Sequence, residues 1–242
     1  MPTKTRPTTL RAITKPKNEK AQTVVADAAS VVSTLRRLGT RKTRDGMARY
    51  AIPSVNAFGV TVADIKQLAK RLGRNHELAL ALWETGWYEA RMLAPFIAEP
   101  ERLTPAQMDR WCKDLDNWGT CDAVCFHLFD RTPHAFRKIE QWATRREEFV
   151  KRAAFALLAS VALHNKKAAN EEFARCLPLI EQAAPDERNF VKKGVSWALR
   201  AVGKRNGELK AAAVEVAKRL AESTEPAARW VGKDALREFR KK

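Results

Sequence analysis

The sequence predicts an all-α protein: a solenoid of stacked antiparallel helix pairs, curved, with a basic concave face. Three observations carry this expectation. Helical apolar spacing begins near residue 21 and continues to the end of the chain. Strand signals are missing, since only 10 of 242 residues are Gly and no Asn-Gly or Asp-Gly pair joins two alternating apolar runs. The formal net charge is +17, from 45 Lys+Arg against 28 Asp+Glu, which favours a polyanionic partner. A compact irregular helical bundle is the alternative architecture.

Residues 1–20 hold six basic residues, one acid, five threonines and three prolines, a composition that cannot bury a core and reads as a flexible basic arm. The rest, 21–242, reads as one helical domain. Its expected helices are 21–38, 41–51, 62–72, 75–85, 87–98, 104–115, 118–130, 133–145, 147–164, 168–183, 187–204, 208–222 and 226–240. The helix at 104–115 has the clearest start, because Thr104, Pro105 and Gln107 form a capping box with Pro at the first helical position. Its Met108, Trp111, Cys112 and Leu115 then follow the stripe of an amphipathic helix. Thr132-Pro133 and Thr224-Glu225-Pro226 are weaker starts of the same kind.

Three later helices bear on chemistry. In 118–130, Trp118, Cys121, Cys125 and Phe129 form the apolar stripe, and Asp122 falls inside it. A carboxylate there is costly unless paired, hydrogen-bonded or kept for use, although a place in the first helical turn would also suit it. In 147–164, Arg152 opens a body, Ala153 to Leu163, that is apolar on every side and so predicts an inner element. In 187–204, Val191, Val195, Ala198 and Val202 make the buried stripe, while Lys193, Trp197, Arg200 and Lys204 recur on the opposite side. A Trp among three cations is either a ring covering a neighbouring helix or an aromatic platform within a phosphate-binding stripe. Trp83, Trp87, Trp111, Trp142 and Trp230 lack that surround and read as packing residues.

Several classes of function are disfavoured. The run from Ala153 to Leu163 is too short to span a bilayer. No signal-peptide core stands near the N-terminus, and Cys112, Cys121, Cys125 and Cys176 show no CxxC pairing, which points to a reducing, cytoplasmic setting. Cys121 and Cys125 lack partners at metal-ligand spacing, His76, His127, His134 and His164 form no cluster, and no cofactor motif appears.

Four ordered segments resemble one family, the bacterial DNA alkylation-repair glycosylases of the AlkD type, which are built from HEAT-like repeats. Met47-Ala48-Arg49-Tyr50 with the Phe58-Gly59-Val60 turn resembles its early Tyr-bearing segment. Trp118-Gly119-Thr120-Cys121-Asp122 resembles its Trp-x-x-x-Asp core, and Lys151-Arg152-Ala153-Ala154 its Arg-Ala-Ala helix start. Lys192 to Arg200 resembles its late Trp-x-x-Arg helix. The resemblance implies hydrolytic excision of cationic N3- or N7-alkylated purines from duplex DNA without metal or cofactor, and a monomer is the expected state. It implies that Asp122 stabilises the sugar cation and that Trp118 and Trp197 cradle the sugar. Arg152 and Arg200 would hold phosphates flanking the lesion and Tyr50 would line the same DNA-binding cleft, with Lys151, Lys192, Lys193 and Lys204 as further phosphate contacts. A non-catalytic module for duplex or distorted DNA, and a protein-binding scaffold, are the competing expectations.

Overall fold

The computed structural model describes residues 17–240. Residues 1–16 of the expected basic arm lie outside the described residues; the last four residues assigned to the arm already belong to the first helix. Among the described residues there are thirteen α-helices and no strands. In chain order they are α1 (Lys17–Leu38), α2 (Arg41–Gly46), α3 (Val62–Leu72), α4 (His76–Glu84), α5 (Tyr88–Ile97), α6 (Pro105–Lys113) and α7 (Trp118–His127). There follow α8 (Ala135–Ala143), α9 (Glu148–His164), α10 (Asn170–Ala183), α11 (Asn189–Gly203), α12 (Gly207–Ala221) and α13 (Pro226–Phe239).

Local chemistry explains the boundaries. Side chains of Thr40, Thr61, Asn75, Thr104, Asn117 and Asn206 each accept a backbone N–H of the helix they precede. The capping box of Thr104 and Gln107 is formed on both sides, at 3.2 and 2.8 Å. Several expected helices are shorter than their periodicity suggested, and two of them end in a 3₁₀ turn. The 41–51 segment breaks after Gly46 into a 3₁₀ turn over Met47–Tyr50, closed by Ala51 at φ 53°. This stretch has no long apolar stripe to hold it: α2 buries none of its residues. The 118–130 segment stops at His127, and a 3₁₀ turn over Phe129–Arg131 completes it.

Helices stack in two layers. One runs α3, α5, α7, α9, α11, α13, each packed on the next; α8, α10 and α12 form the second, and α8–α9, α10–α11 and α12–α13 join the layers. Short connections reverse the chain between consecutive helices, which is the antiparallel pairing of a solenoid. No sequence motif repeats, yet the hydrogen bonds do. Side chains bridge adjacent units at separations of 29 to 38 residues, as in Lys138–Asp109, Arg152–Asp122, Ser160–Asp130 and Ser196–Asp234.

The core sits around α9, where every residue from Arg152 to Ala162 is buried. Its many alanines let α7, α8 and α11 approach closely. Trp83 and Trp111 stack 4.1 Å apart within the N-terminal part of this core, and the Trp83 indole N–H donates to Asp114 at 2.8 Å. A small satellite core of Met47, Ile52 and Ala57, covered by Tyr88 and Trp118, fastens the 3₁₀ turn to α5 and α7. The following loop is tied down by Glu89, fully buried on α5, whose carboxylate accepts the N–H groups of Phe58, Gly59 and Val60 at 2.7–3.2 Å. Gly59, at φ 82°, is needed there because a Cβ would stand 2.3 Å from the Thr40 carbonyl oxygen.

Candidate functional site

The site residues singled out in the sequence come from the odd-numbered layer or the 3₁₀ turn docked on it, but all except Lys151 and Lys192 divide between two clefts. The first, of about 490 Å³, is lined by Arg49, Tyr50, Ala51, Trp118, Asp122, Arg152, Asn189, Phe190 and Lys193. α7, α9 and α11 contribute their N-terminal halves to it, and the 3₁₀ turn forms the remaining wall. Trp118 is the first residue of α7, and its indole N–H donates to the Tyr50 carbonyl at 2.7 Å. That bond holds Tyr50, 65 % exposed, at the rim of the cleft.

Asp122 lies one turn further along α7. The Arg152 guanidinium grips both its oxygens, Nε to Oδ1 at 3.1 Å and Nη2 to Oδ2 at 2.8 Å, and donates from Nη1 to the Phe190 carbonyl at 2.8 Å. Arg152 is almost wholly enclosed, while the Asp122 side chain keeps 23 % of its surface exposed. Burial pushes the Asp122 carboxyl above its ordinary range, and Arg152 opposes that rise by charge and hydrogen bond. The bidentate pair favours the ionised form, burial favours the acid, and burial is the larger of the two influences. Cys121 and Cys125 also face α9, where their thiols contact the Phe149 and Ala153 carbonyls. Desolvation raises the Cys125 thiol well above its usual range. Among the described residues no three of His, Cys, Asp and Glu meet as a metal-binding group.

Trp197, Arg200 and Lys204 line a separate cleft of about 220 Å³, with Ala159, Ala162, Leu163, Lys166 and Ala201. Trp197 stacks on Phe126 at 5.5 Å. Arg200 donates to the Ser196 carbonyl at 3.2 Å and lies 3.5 Å from Asp234, and Lys204 pairs with Glu238. Lys151 and Lys192 line neither cleft. The Lys151 ammonium is 3.0 Å from Asp186, which Arg188 also clasps, and Lys192 sits 5.2 Å over the Trp230 ring. Of the cations chosen from the sequence, Lys193 alone is exposed at the Asp122 cleft. Arg49, Asn189 and Phe190 were not singled out individually. Arg49 stands directly before Tyr50 in its segment, whereas nothing in the local pattern marks Asn189 or Phe190, which enter by position at the start of α11.

Comparison with known proteins bears on this geometry. A family model described as DNA alkylation repair enzyme matches residues 31–239, which span both clefts. The chain belongs to the DNA alkylation repair enzyme family. Among solved structures, it is similar to one described as "a new family of proteins related to the HEAT-like repeat DNA glycosylases with affinity for branched DNA structures". That match has 21 % identity and a TM-score of 0.71, and covers 86 % of this chain and 94 % of the other. The fold is thus a HEAT-like helical solenoid. A designed armadillo repeat protein in complex with the peptide (KR)4 aligns at a TM-score of 0.35 and 15 % identity, over 92 % of this chain and 86 % of its own. No curated protein matches the chain. Among the described residues, no helix of this repair-family member is long and apolar enough to cross a membrane.

Proposed function

We propose that this member of the repair family is a monomeric, cytoplasmic DNA N-glycosylase that excises cationic N3- or N7-alkylated purines from duplex DNA. The observation that supports it is the Asp122 carboxyl group, clasped at both oxygens by Arg152 and lining an open cleft with Trp118 and Tyr50. An alkylated purine already carries positive charge, so it leaves without a general acid. As the C1′–N bond breaks, its electron pair goes to the base, which departs neutral, and positive charge builds on the deoxyribose. Asp122 faces that charge at closer range than solvent ions can, stabilises it and orients the attacking water. Water bonds to C1′, and its proton passes to Asp122 or to solvent.

The other side chains take supporting parts. The Trp118 face lies against the sugar and adds cation–π stabilisation. Arg152, with its donors committed to Asp122 and Phe190, is a positioning residue for the carboxylate, and Arg49 and Lys193 supply phosphate contacts at the rim. Trp197, Arg200 and Lys204 hold the duplex beyond the lesion, along the neighbouring cleft. The assay is release of 7-methylguanine and 3-methyladenine from a methylated duplex. Wild-type protein should release base, and Asp122→Asn should slow release by about 10²–10³-fold, the usual effect of losing one preorganised electrostatic group. Equal rates for the two proteins would refute the assignment.

A second reading, a non-catalytic module for distorted DNA, is favoured by the similarity to a structure described by its affinity for branched DNA. It expects tighter binding of a branched than a linear duplex, no base release, and binding that survives Asp122→Asn.

A further inference from the structure

The odd-numbered layer carries a second row of side chains, distinct from the Asp122 cleft, that crosses five helices. On α3, the Lys66 ammonium lies 5.9 Å from the Phe96 ring of α5. Phe96 is 4.3 Å from the His127 ring of α7. Its neighbour Phe126 meets the His164 ring of α9 edge-on at 4.7 Å and stacks with Trp197 of α11 at 5.5 Å. Each ring is partly exposed, unlike Trp83, Trp111, Phe129, Phe155 and Phe173, which fill the interior. Leu163 stands 50 % exposed beside the row.

The composition of the row is not that of packing. Two members are imidazoles, which gain little from burial in hydrocarbon. Asp130, buried beneath the row, engages His164 Nδ1 at 2.5 Å and accepts the Ser160 hydroxyl at 2.7 Å, so the free nitrogen of His164 is Nε2. Burial, with Lys66 and Arg131 nearby, lowers the His127 pKa to about 4, which keeps that ring a neutral aromatic plate at physiological pH. The flanks are basic. Lys66 and Lys166 are exposed and belong to no ion pair among the described residues.

A row of rings flanked by cations suits a particular ligand. The bases of a double helix are already stacked on one another, and its outside offers phosphates and groove edges, not base faces. An unpaired nucleotide offers both a face and a phosphate. We infer that this row is a binding track for single-stranded nucleic acid, whose bases stack against Phe96, Phe126 and Trp197 while Lys66, Arg131 and Lys166 meet its phosphates. The inference goes beyond base excision and does not rest on it, because no residue of the track lines the Asp122 cleft.

The test measures fluorescence anisotropy of a labelled oligothymidylate and of a blunt duplex of equal length, at one moderate salt concentration for comparing variants and over a salt series for the counterion slope. Wild-type protein should bind the oligothymidylate. Phe126→Leu and Phe96→Leu, which keep apolar volume but remove the ring, should weaken that binding about tenfold or more, and Phe96→Leu, which does not touch Trp197, should leave duplex binding within about twofold of wild type. Lys66→Gln, at an exposed position, should lower the salt dependence of oligothymidylate binding by about one counterion and reads the track even if a Phe variant fails to fold. The inference is overturned if wild-type protein does not bind the oligothymidylate. It is equally overturned if variants with wild-type circular dichroism and urea midpoints bind it as tightly as wild type. Loss of base release in wild type with these binding effects intact would sink the glycosylase reading and leave the track standing.

Discussion

Replacing Arg152 with Met removes the guanidinium while keeping an unbranched stem along Gly194, whose Cβ position lies 3.6 Å from Arg152 Cγ. Asp122 is then left as a desolvated carboxylate without a cation. Breaking a buried ion pair costs about 3–5 kcal/mol. Asp122 retains 23 % exposure, so the lower end, about 3 kcal/mol, applies here. Loss of the bond to the Phe190 carbonyl adds about 1 kcal/mol. The sum should move the urea midpoint down by roughly 1–2 M at an ordinary denaturant slope. The same substitution should act on chemistry through charge. Burial already raises the Asp122 carboxyl, and Arg152 is what opposes the rise. Without Arg152 the carboxyl rises further, so base release, which needs the ionised form, should climb along a limb displaced to higher pH. The double variant Arg152→Met/Asp122→Asn supplies the control, since a neutral amide leaves no buried charge. It should be more stable than Arg152→Met alone and still fail to release base. Denaturant melts and a pH–rate profile of base release decide the matter. The reasoning fails if Arg152→Met costs under about 1 kcal/mol, if the double variant is no more stable than the single, or if the limb stays in place.

Further expectations concern stability and the division among the cations. Arg188 and Lys151 hold the Asp186 carboxyl down at about 2, so its contribution is present above the usual carboxyl range and is lost as pH falls towards 2. Asp186→Asn should remove roughly 1–2 kcal/mol from the acid limb of a stability–pH curve and leave Arg188 and Lys151 without their shared partner. Gly59→Ala should cost more than about 2 kcal/mol by thermal melt, because its Cβ would meet the Thr40 carbonyl oxygen at 2.3 Å in a left-handed backbone. A wild-type melting point for that variant would refute the loop geometry. Lys193→Ala should weaken duplex binding and reduce its salt slope by about one with stability unchanged. Lys151→Ala should do the reverse, lowering stability while leaving duplex affinity nearly intact, because its ammonium serves Asp186.

Much of the helical plan was legible because a helix writes its apolar stripe into local spacing. The 187–204 and 147–164 segments became α11 and α9 within two residues at each end. The 41–51 segment misled because its few apolar residues carry no true stripe, and the chain there follows the Met47, Ile52 and Ala57 satellite core instead. The candidate site was legible only as residue types. Asp122 on an apolar face admitted a helix-start role or a functional one, and the partner that clasps its carboxyl group stands thirty residues away on another helix.

The sequence by itself determined most of the helices, the excess of positive charge and the family segments, since each depends on composition or on spacing within one element. The tertiary structure decided which charges are free. Lys193, Arg200 and Lys204 look alike on one face of α11, yet Asp234 and Glu238 of α13 engage the last two and leave Lys193 at the Asp122 cleft. It also drew Phe126 and Trp197 together from α7 and α11 and so separated the two clefts. The physical reason is common to all of these. Periodicity is a property of a single helix, whereas the partner of a side chain is set by the register of the helix packed against it, and no pattern within one strand of sequence records that register.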